Sequence, residues 1–272
     1  MIIGNDISNQ GAQYIGEGIK ELKNLIKLNI NLYYNNIPAQ GAWHISEGIK
    51  ELKNLTKLNI NLYYNQISDQ GAQYIGEGIQ DLNKISAYGA QDIGEGIKGL
   101  KNLTNLNLNL HSNGISDQGA QYIGQGIKEL KSLKYLIIDL YLNKISAYGA
   151  QDIGEGIKEL KNLTDLNLNL RSNDISDQGA QYIGEGIKEL KGLKKLNIDL
   201  QNNIIYAQGA KQIIEGIEEL ENLTNLNLYL KGNDIFNSED LHTDERINQL
   251  KSSKNLNINI QNNKFLWKKK PK

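Results

Sequence analysis

Apolar residues along this chain switch between two periods. In residues 162–191, NLTDLNLNLRSNDISDQGAQYIGEGIKELK, the leucines Leu166, Leu168 and Leu170 alternate with polar residues after Leu163. Ala180, Ile183, Ile187 and Leu190 then fall three or four apart. A period of two predicts a strand buried on one face, and a period near 3.6 predicts an amphipathic helix. Asn173 and Ile175 lie in the turn between them. One strand–turn–helix unit cannot cover its own apolar face, so copies must stack and share a core.

The phrase recurs from end to end. Its strand part begins at Leu25, Leu55, Leu103, Leu133, Leu163, Leu193 and Leu223, with a degenerate copy at Ser253; helical parts follow from Ala12, Ala42, Ala72, Ala90, Ala120, Ala150, Ala180 and Ala210. Strand spacing is 30 residues, except for 48 between Leu55 and Leu103. Residues 83–98 repeat residues 143–158 letter for letter, without the strand that should precede them. An eight-residue strand covers about 26 Å, which the short stretch 83–86 does not span. The expectation is therefore a stack disrupted near residues 80–102, as a helical hairpin or a partly unwound helix. It would divide the chain into an N-terminal repeat block at 1–82, a strandless repeat at 83–102, and a C-terminal block at 103–272 with a basic tail. The other reading is that a coding segment is missing and the natural stack is regular. Residues 1–4 begin inside a repeat, so the chain is also expected to be part of something longer. NSEDLHTDERINQLK, followed by Phe265, Leu266 and Trp267, suits a terminal repeat. Neighbouring repeats alternate between ISDQGAQYIG and ISAYGAQDIG, consistent with a 60-residue pair as the unit of duplication. Ser176 and Asp177 read as helix N-caps.

L-x-x-L-x-L-x-L-x-x-N-x-I followed by x-x-x-G-A-x-x-I-x-x-x-I-x-x-L resembles the leucine-rich repeat of the ribonuclease-inhibitor-like class, whose members are cytosolic and carry a true helix. The resemblance covers nearly the whole chain. It implies an α/β solenoid, a horseshoe with a concave parallel sheet and convex helices. Parallel strands joined by right-handed helical crossovers lead to the same layout on physical grounds. The strand phrase departs from the usual pattern by two extra residues, which predicts a longer strand. Similar cytosolic repeat proteins bind other proteins, so the resemblance implies a non-enzymatic interaction module or scaffold with a protein or peptide partner. Rival readings are the recognition arm of a larger signalling protein, such as a kinase or a nucleotide-binding receptor, and a GTPase regulator. Self-association through uncapped ends is a further one.

Charge and composition narrow the partners. Lys and Arg total 30 against 31 Asp and Glu, a balance that gives no electrostatic reason to expect nucleic acid. There is no cysteine, hence no disulfide, thiolate metal site or cysteine nucleophile. The N-terminus lacks a signal-peptide pattern, and no apolar run approaches a membrane span. A cytoplasmic location without a membrane partner is expected. Asn-Leu-Thr sequons at Asn54, Asn102, Asn162 and Asn222 then read as repeat letters rather than glycosylation sites.

Outward strand positions alternate with the buried leucines, and asparagine dominates them. One column holds Asn29, Asn59, Asn107, Ile137, Asn167, Asn197, Asn227 and Asn257; the next holds Asn31, Asn61, Asn109, Asp139, Asn169, Asp199, Tyr229 and Asn259. Asparagine ladders along these columns, or a neutral groove of donors and acceptors, are the two readings. Strand-end asparagines from Asn65 to Asn263 are expected to turn inward and satisfy loop backbone. The repeat at Leu133 breaks the pattern with Tyr135, Ile137, Asp139 and Tyr141, flanked by His111, Asp165 and Arg171. A small apolar patch with aromatic and arginine residues inside a polar rim is the composition of a binding centre; these seven are the candidate partner-binding residues, with Tyr33 and Tyr63 extending the aromatic character. Signals for catalysis fail one by one. Gly94, Gly96 and Gly99 match G-x-G-x-x-G but lie late in a helical phrase. His44, His111 and His242 sit at no metal spacing, and no nucleophile system is positioned around Ser112. No catalytic residue, cofactor or metal is assigned. The repeated Gly-Glu-Gly reads as close packing between helices.

Overall fold

The computed structural model describes residues 7–35, 37–63, 65, 87–235 and 257–259. In chain order these form α1 (Asn9–Lys20), β1 (Lys27–Asn31), α2 (Ala39–Lys50), β2 (Lys57–Asn61), α3 (Ala87–Lys98), β3 (Asn105–Asn109), α4 (Asp117–Ile127) and β4 (Tyr135–Asp139). After them come α5 (Ala147–Ile157), β5 (Asp165–Asn169), α6 (Asp177–Ile187), β6 (Lys195–Asp199), α7 (Ala207–Glu218), β7 (Asn225–Tyr229) and β8 (Asn257–Asn259). All eight strands are parallel and lie in sequence order in one sheet. The helices form a second layer, each against its sequence neighbours. Between the layers runs one continuous core: Leu166, Leu168 and Leu170 from the strand phrase meet Ala180, Ile183, Ile187 and Leu190 from the helix, all essentially buried. Burying each large aliphatic side chain stabilises the stack by roughly 1.5–3 kcal/mol.

The expected disruption is not found in the part of 80–102 that is described. α3 is a regular helix between α2 and α4, and Leu100 and Leu103 close the same turn that Leu130 and Leu133 close in the next repeat. β2 pairs directly with β3, Lys57 opposite Asn105 and Asn61 opposite Asn109. The physical reason is that β2 serves as the strand of α3: the repeat that looks strandless borrows the strand before it. Residues 66–86 lie outside the described residues. The N-terminal block at 1–82 and the C-terminal block at 103–272 stay a proposal.

Strands β1 to β7 are five residues long, shorter than the lengthened phrase predicts. At the fifth position the side chain turns back onto its own backbone: the Arg171 N–H donates to Asn169 Oδ1 at 3.1 Å and the Tyr141 N–H to Asp139 Oδ1 at 3.1 Å. Cross-strand bonds nevertheless continue, from Leu170 N to Asp199 O and from Ser172 N to Gln201 O. The extra residues therefore form an irregular ledge along the sheet's C-terminal edge. At β8 the pairing sets Asn259, not Asn257, beside Asn227.

Three devices fix the pitch between repeats. The first is the strand-end asparagine, which turns inward as expected. Asn173 Oδ1 accepts from the N–H groups of Asn143 and Ile145, both at 3.0 Å, while its amide donates to Leu140 O and Leu170 O, both at 3.0 Å. The second is Gly-Glu-Gly. A Cβ on Gly154 would lie 2.4 Å from Tyr182 O, and one on Gly156 would lie 2.7 Å from Gly124 O, so the two glycines admit the backbones of the following and the preceding helix. The third is an aspartate at the start of alternate helices. Asp177 Oδ1 accepts from Tyr206 N at 2.7 Å and Gly209 N at 2.9 Å; Asp117 serves Ser146 and Gly149 in the same way. Ser176 makes no side-chain cap of its own helix. The ISDQG phrases at 115–119 and 175–179 thus each cap the helix after them, which accounts for the 60-residue alternation there.

Two outcomes are expected. Removing residues 66–83 joins Asn65 to Lys84 and restores the 30-residue spacing; the shortened protein should keep its helical circular dichroism and melt in one transition no lower than the full chain. Collapse of the fold would mean that the segment is integral. Asn173→Ala strands the buried N–H groups of Asn143 and Ile145 and removes the Asn173 bond to Leu140 O, while Leu170 O keeps its bond from Asn203; at about 1–3 kcal/mol for each stranded group, urea denaturation should show a loss of about 3 kcal/mol or more.

Candidate functional site

The concave face is built from the outward positions of the strands, which the parallel register aligns into columns. Tyr135 stands opposite Asn105 and Asp165, Ile137 opposite Asn107 and Asn167, and Asp139 opposite Asn109 and Asn169. The seven candidate residues accordingly share one face, but they fall into two groups. Tyr135 and Ile137, 46% and 39% exposed, lie toward the strand starts. His111, Tyr141 and Arg171 lie on the ledge past the strand ends.

On the ledge, residues from successive repeats stack. Tyr33 packs on Tyr63 with ring centroids 4.9 Å apart, Tyr63 on His111 at 4.4 Å, and His111 on Tyr141 at 4.2 Å; the Arg171 guanidinium sits 5.6 Å from the Tyr141 ring centre. The repeat pitch of a parallel sheet, about 4.8 Å, matches the spacing that aromatic rings prefer, so one ring per repeat suffices for a ladder. The ladder crosses from β2 to β3 without interruption. Each member's N–H is held by the side chain two residues before it, as with Tyr63 on Asn61 and His111 on Asn109. The second asparagine column therefore caps backbone rather than forming amide ladders. In the first column one amide ladder bond is present among the described residues, from Asn197 Nδ2 to Asn167 Oδ1 at 2.8 Å.

Electrostatics follow burial. His111, half-buried between two tyrosine rings, has its pKa pushed below 6.5 by desolvation, with the Asp139 carboxylate opposing. The Asp199 carboxyl is pushed up by burial, against the Gln201 N–H and the Arg171 charge. Asp165 accepts from Thr164 Oγ1 at 2.8 Å and pairs with Lys195 at 3.4 Å, so it is tied to the scaffold side of the patch.

Toward the strand starts, a cavity of about 330 Å³ is lined by Tyr135, Ile137, Lys27, Lys57, Asn29, Asn59, Asn105, Asn107 and the leucines between them. Lys27 and Lys57 are functional-site candidates that the sequence pattern passed over. They occupy the same column as Tyr135, two residues before the asparagine column, and their positive charge was the available signal. Among the described residues no group of three or more His, Asp or Glu side chains gathers in a metal-binding arrangement. Gly94 and Gly96 are packing positions, against Tyr122 O and Ser46, and do not cradle a phosphate.

His111 makes stability depend on pH in a known direction. Between its lowered folded value and 6.5 the unfolded chain binds more protons, so this contribution is present above about pH 6.5 and is lost as pH falls through the folded value. The urea midpoint should drop on going from about pH 7.5 to about pH 5, and by less in His111→Phe. Equal drops in both proteins would show that the imidazole is not the group responsible.

Comparison with known proteins agrees with this architecture. A family model described as a leucine-rich repeat matches residues 51–76, 102–124 and 161–184. Among solved structures, the crystal structure of internalin C2 from Listeria monocytogenes str. 4b F2365 superposes with a TM-score of 0.51. The alignment covers 95% of this chain and 78% of that one at 21% identity, a likeness of fold. No curated protein matches the sequence significantly. With one sheet of parallel strands in sequence order, a core of repeated leucines and an inward asparagine per turn, the chain has the fold of a leucine-rich repeat solenoid, and the family model matches it at three repeats.

Proposed function

We propose that this protein is a non-enzymatic recognition module that binds a protein or peptide on its concave sheet. The observation that carries the reading is the exposed pair Tyr135 and Ile137 on a face lined mostly by asparagine and charged side chains. An apolar anchor set in a polar rim is where binding energy concentrates. The aromatic ledge of His111 and Tyr141, ending in Arg171, borders the same groove, and Asp139 and Asp165 supply its acidic edge. The convex helices, eleven or twelve residues each, support placement in the ribonuclease-inhibitor-like class. A cytoplasmic setting fits that class. Among the described residues no helix is long and apolar enough to cross a membrane.

The test is a pull-down from cell extract with the wild type beside a Tyr135→Ala, Ile137→Asn, Tyr141→Ala variant of matching circular dichroism. Loss of a partner by the variant alone is the expected result. Retrieval of the same proteins by both chains would remove the concave patch as the binding surface.

A further inference from the structure

The cavity beside Tyr135 has an unusual mouth. Lys27 and Lys57 are directly opposed on β1 and β2, and both are exposed. Like charges directly opposite each other on neighbouring strands repel, and among the described residues no carboxylate pairs with either ammonium. Other lysines of the repeat are treated differently: Lys101, Lys131, Lys161 and Lys191 each reach a glutamate of the following repeat, at 2.8–3.1 Å. The concave lysine pair is left with its charge unanswered. Beyond it, Asn59 and Asn107 carry amides with no hydrogen bond to another described residue, and then come Tyr135 and Ile137.

We propose that this groove receives an extended acidic segment of a partner protein, with a carboxylate on the Lys27–Lys57 pair and an apolar side chain on Tyr135 and Ile137. The inference rests on the concave-face reading above and names its partner class. Spacing makes the two contacts compatible. Strands lie about 4.8 Å apart, so the lysine pair and Tyr135 are separated by about 12 Å across the sheet; an extended chain at about 3.3 Å per residue covers that in three or four residues. Asn59 and Asn107 then lie under the intervening peptide groups, offering both donors and acceptors. Apolar lining supplies affinity, while the lysine pair sets direction and discriminates against basic sequences.

The experiment uses two short fluorescein-labelled peptides of Ser, Leu and Glu, or of Ser, Leu and Lys, matched in order and length, with anisotropy as the readout. The wild type should bind the acidic peptide at least about tenfold more tightly at low salt, with the difference shrinking as salt is added. A Lys27→Glu, Lys57→Glu variant changes only exposed side chains and should reverse the preference. Tyr135→Ala should weaken the acidic peptide without reversing it. Equal binding of both peptides, binding of neither, or a preference that survives charge reversal would overturn the inference. If the peptides fail while the triple variant still loses its extract partner, concave recognition stands and the acidic partner falls.

Discussion

The structure depends on one side chain per repeat that is shared between two repeats. Asn65, Asn143, Asn173, Asn203 and Asn233 each donate to a carbonyl of the preceding repeat, and each accepts from a backbone N–H of that repeat. A buried amide is costly unless every group finds a partner. Here the partners come from two successive turns, so neither turn is satisfied without the other. Stability is therefore a property of neighbours, as expected of a solenoid. It also sets the register: the asparagine admits only the spacing at which both sets of backbone groups are within reach. Ile37 and Ile175, both buried in the core, donate their N–H groups to Asn65 Oδ1 and Asn203 Oδ1, tying the polar turn to the apolar layer.

The helical side adapts to the pitch that the sheet imposes. Strands pack about 4.8 Å apart, whereas helices ordinarily keep 8–10 Å between axes. Paired glycines bring the helices as close as backbone permits, with Gly48 on Gly16, Gly126 on Gly94 and Gly186 on Gly154. The mismatch that remains curves the stack with the sheet inside. Glycine costs a helix about 1 kcal/mol relative to alanine, a cost offset by contact along each helix pair. Where the first glycine is replaced, the neighbour on that side changes too. Ser46 meets Gly96 rather than a backbone carbonyl alone, and Ile214 in α7 is buried.

The scaffold was legible because its code is redundant. Leu166, Ile183 and Asn173 recur in nearly every repeat, and their periods translate directly into a face, a helix stripe and a turn. Around the break between β2 and β3, spacing in sequence locates an irregularity, and the pairing of Lys57 with Asn105 shows that the sheet continues across it. Ser176 illustrates a second limit. Local cap rules look within one helix, whereas the carboxylate that serves α7 comes from Asp177 at the start of α6. At the site, composition singled out Tyr135 and Ile137, yet Lys27 and Lys57 appeared ordinary until register set them side by side.

The ledge shows where the scaffold yields to the surface. Among the described residues, the position after the ledge residue takes a left-handed conformation in successive repeats: Ser112, Ser172 and Asn202 at φ 53–54°, and Gly232 at 81°. Asparagine and glycine suit that geometry, and an exposed leucine does not. Yet Leu142 adopts φ 57° at 51% exposure and Tyr34 adopts φ 59° at 55%. Both stand beside ladder residues, Tyr141 and Tyr33. Left-handed backbone costs a residue with a Cβ roughly 1–2 kcal/mol, and neither side chain recovers that by burial. The second asparagine column has no such latitude, since Asn61, Asn109 and Asn169 hold the backbone of the ledge. Surface chemistry is thereby left to the two columns whose side chains do not hold the ledge backbone and to the ledge itself. Those are the places where apolar and aromatic side chains interrupt the repeat, and a partner laid along the groove would meet both at once.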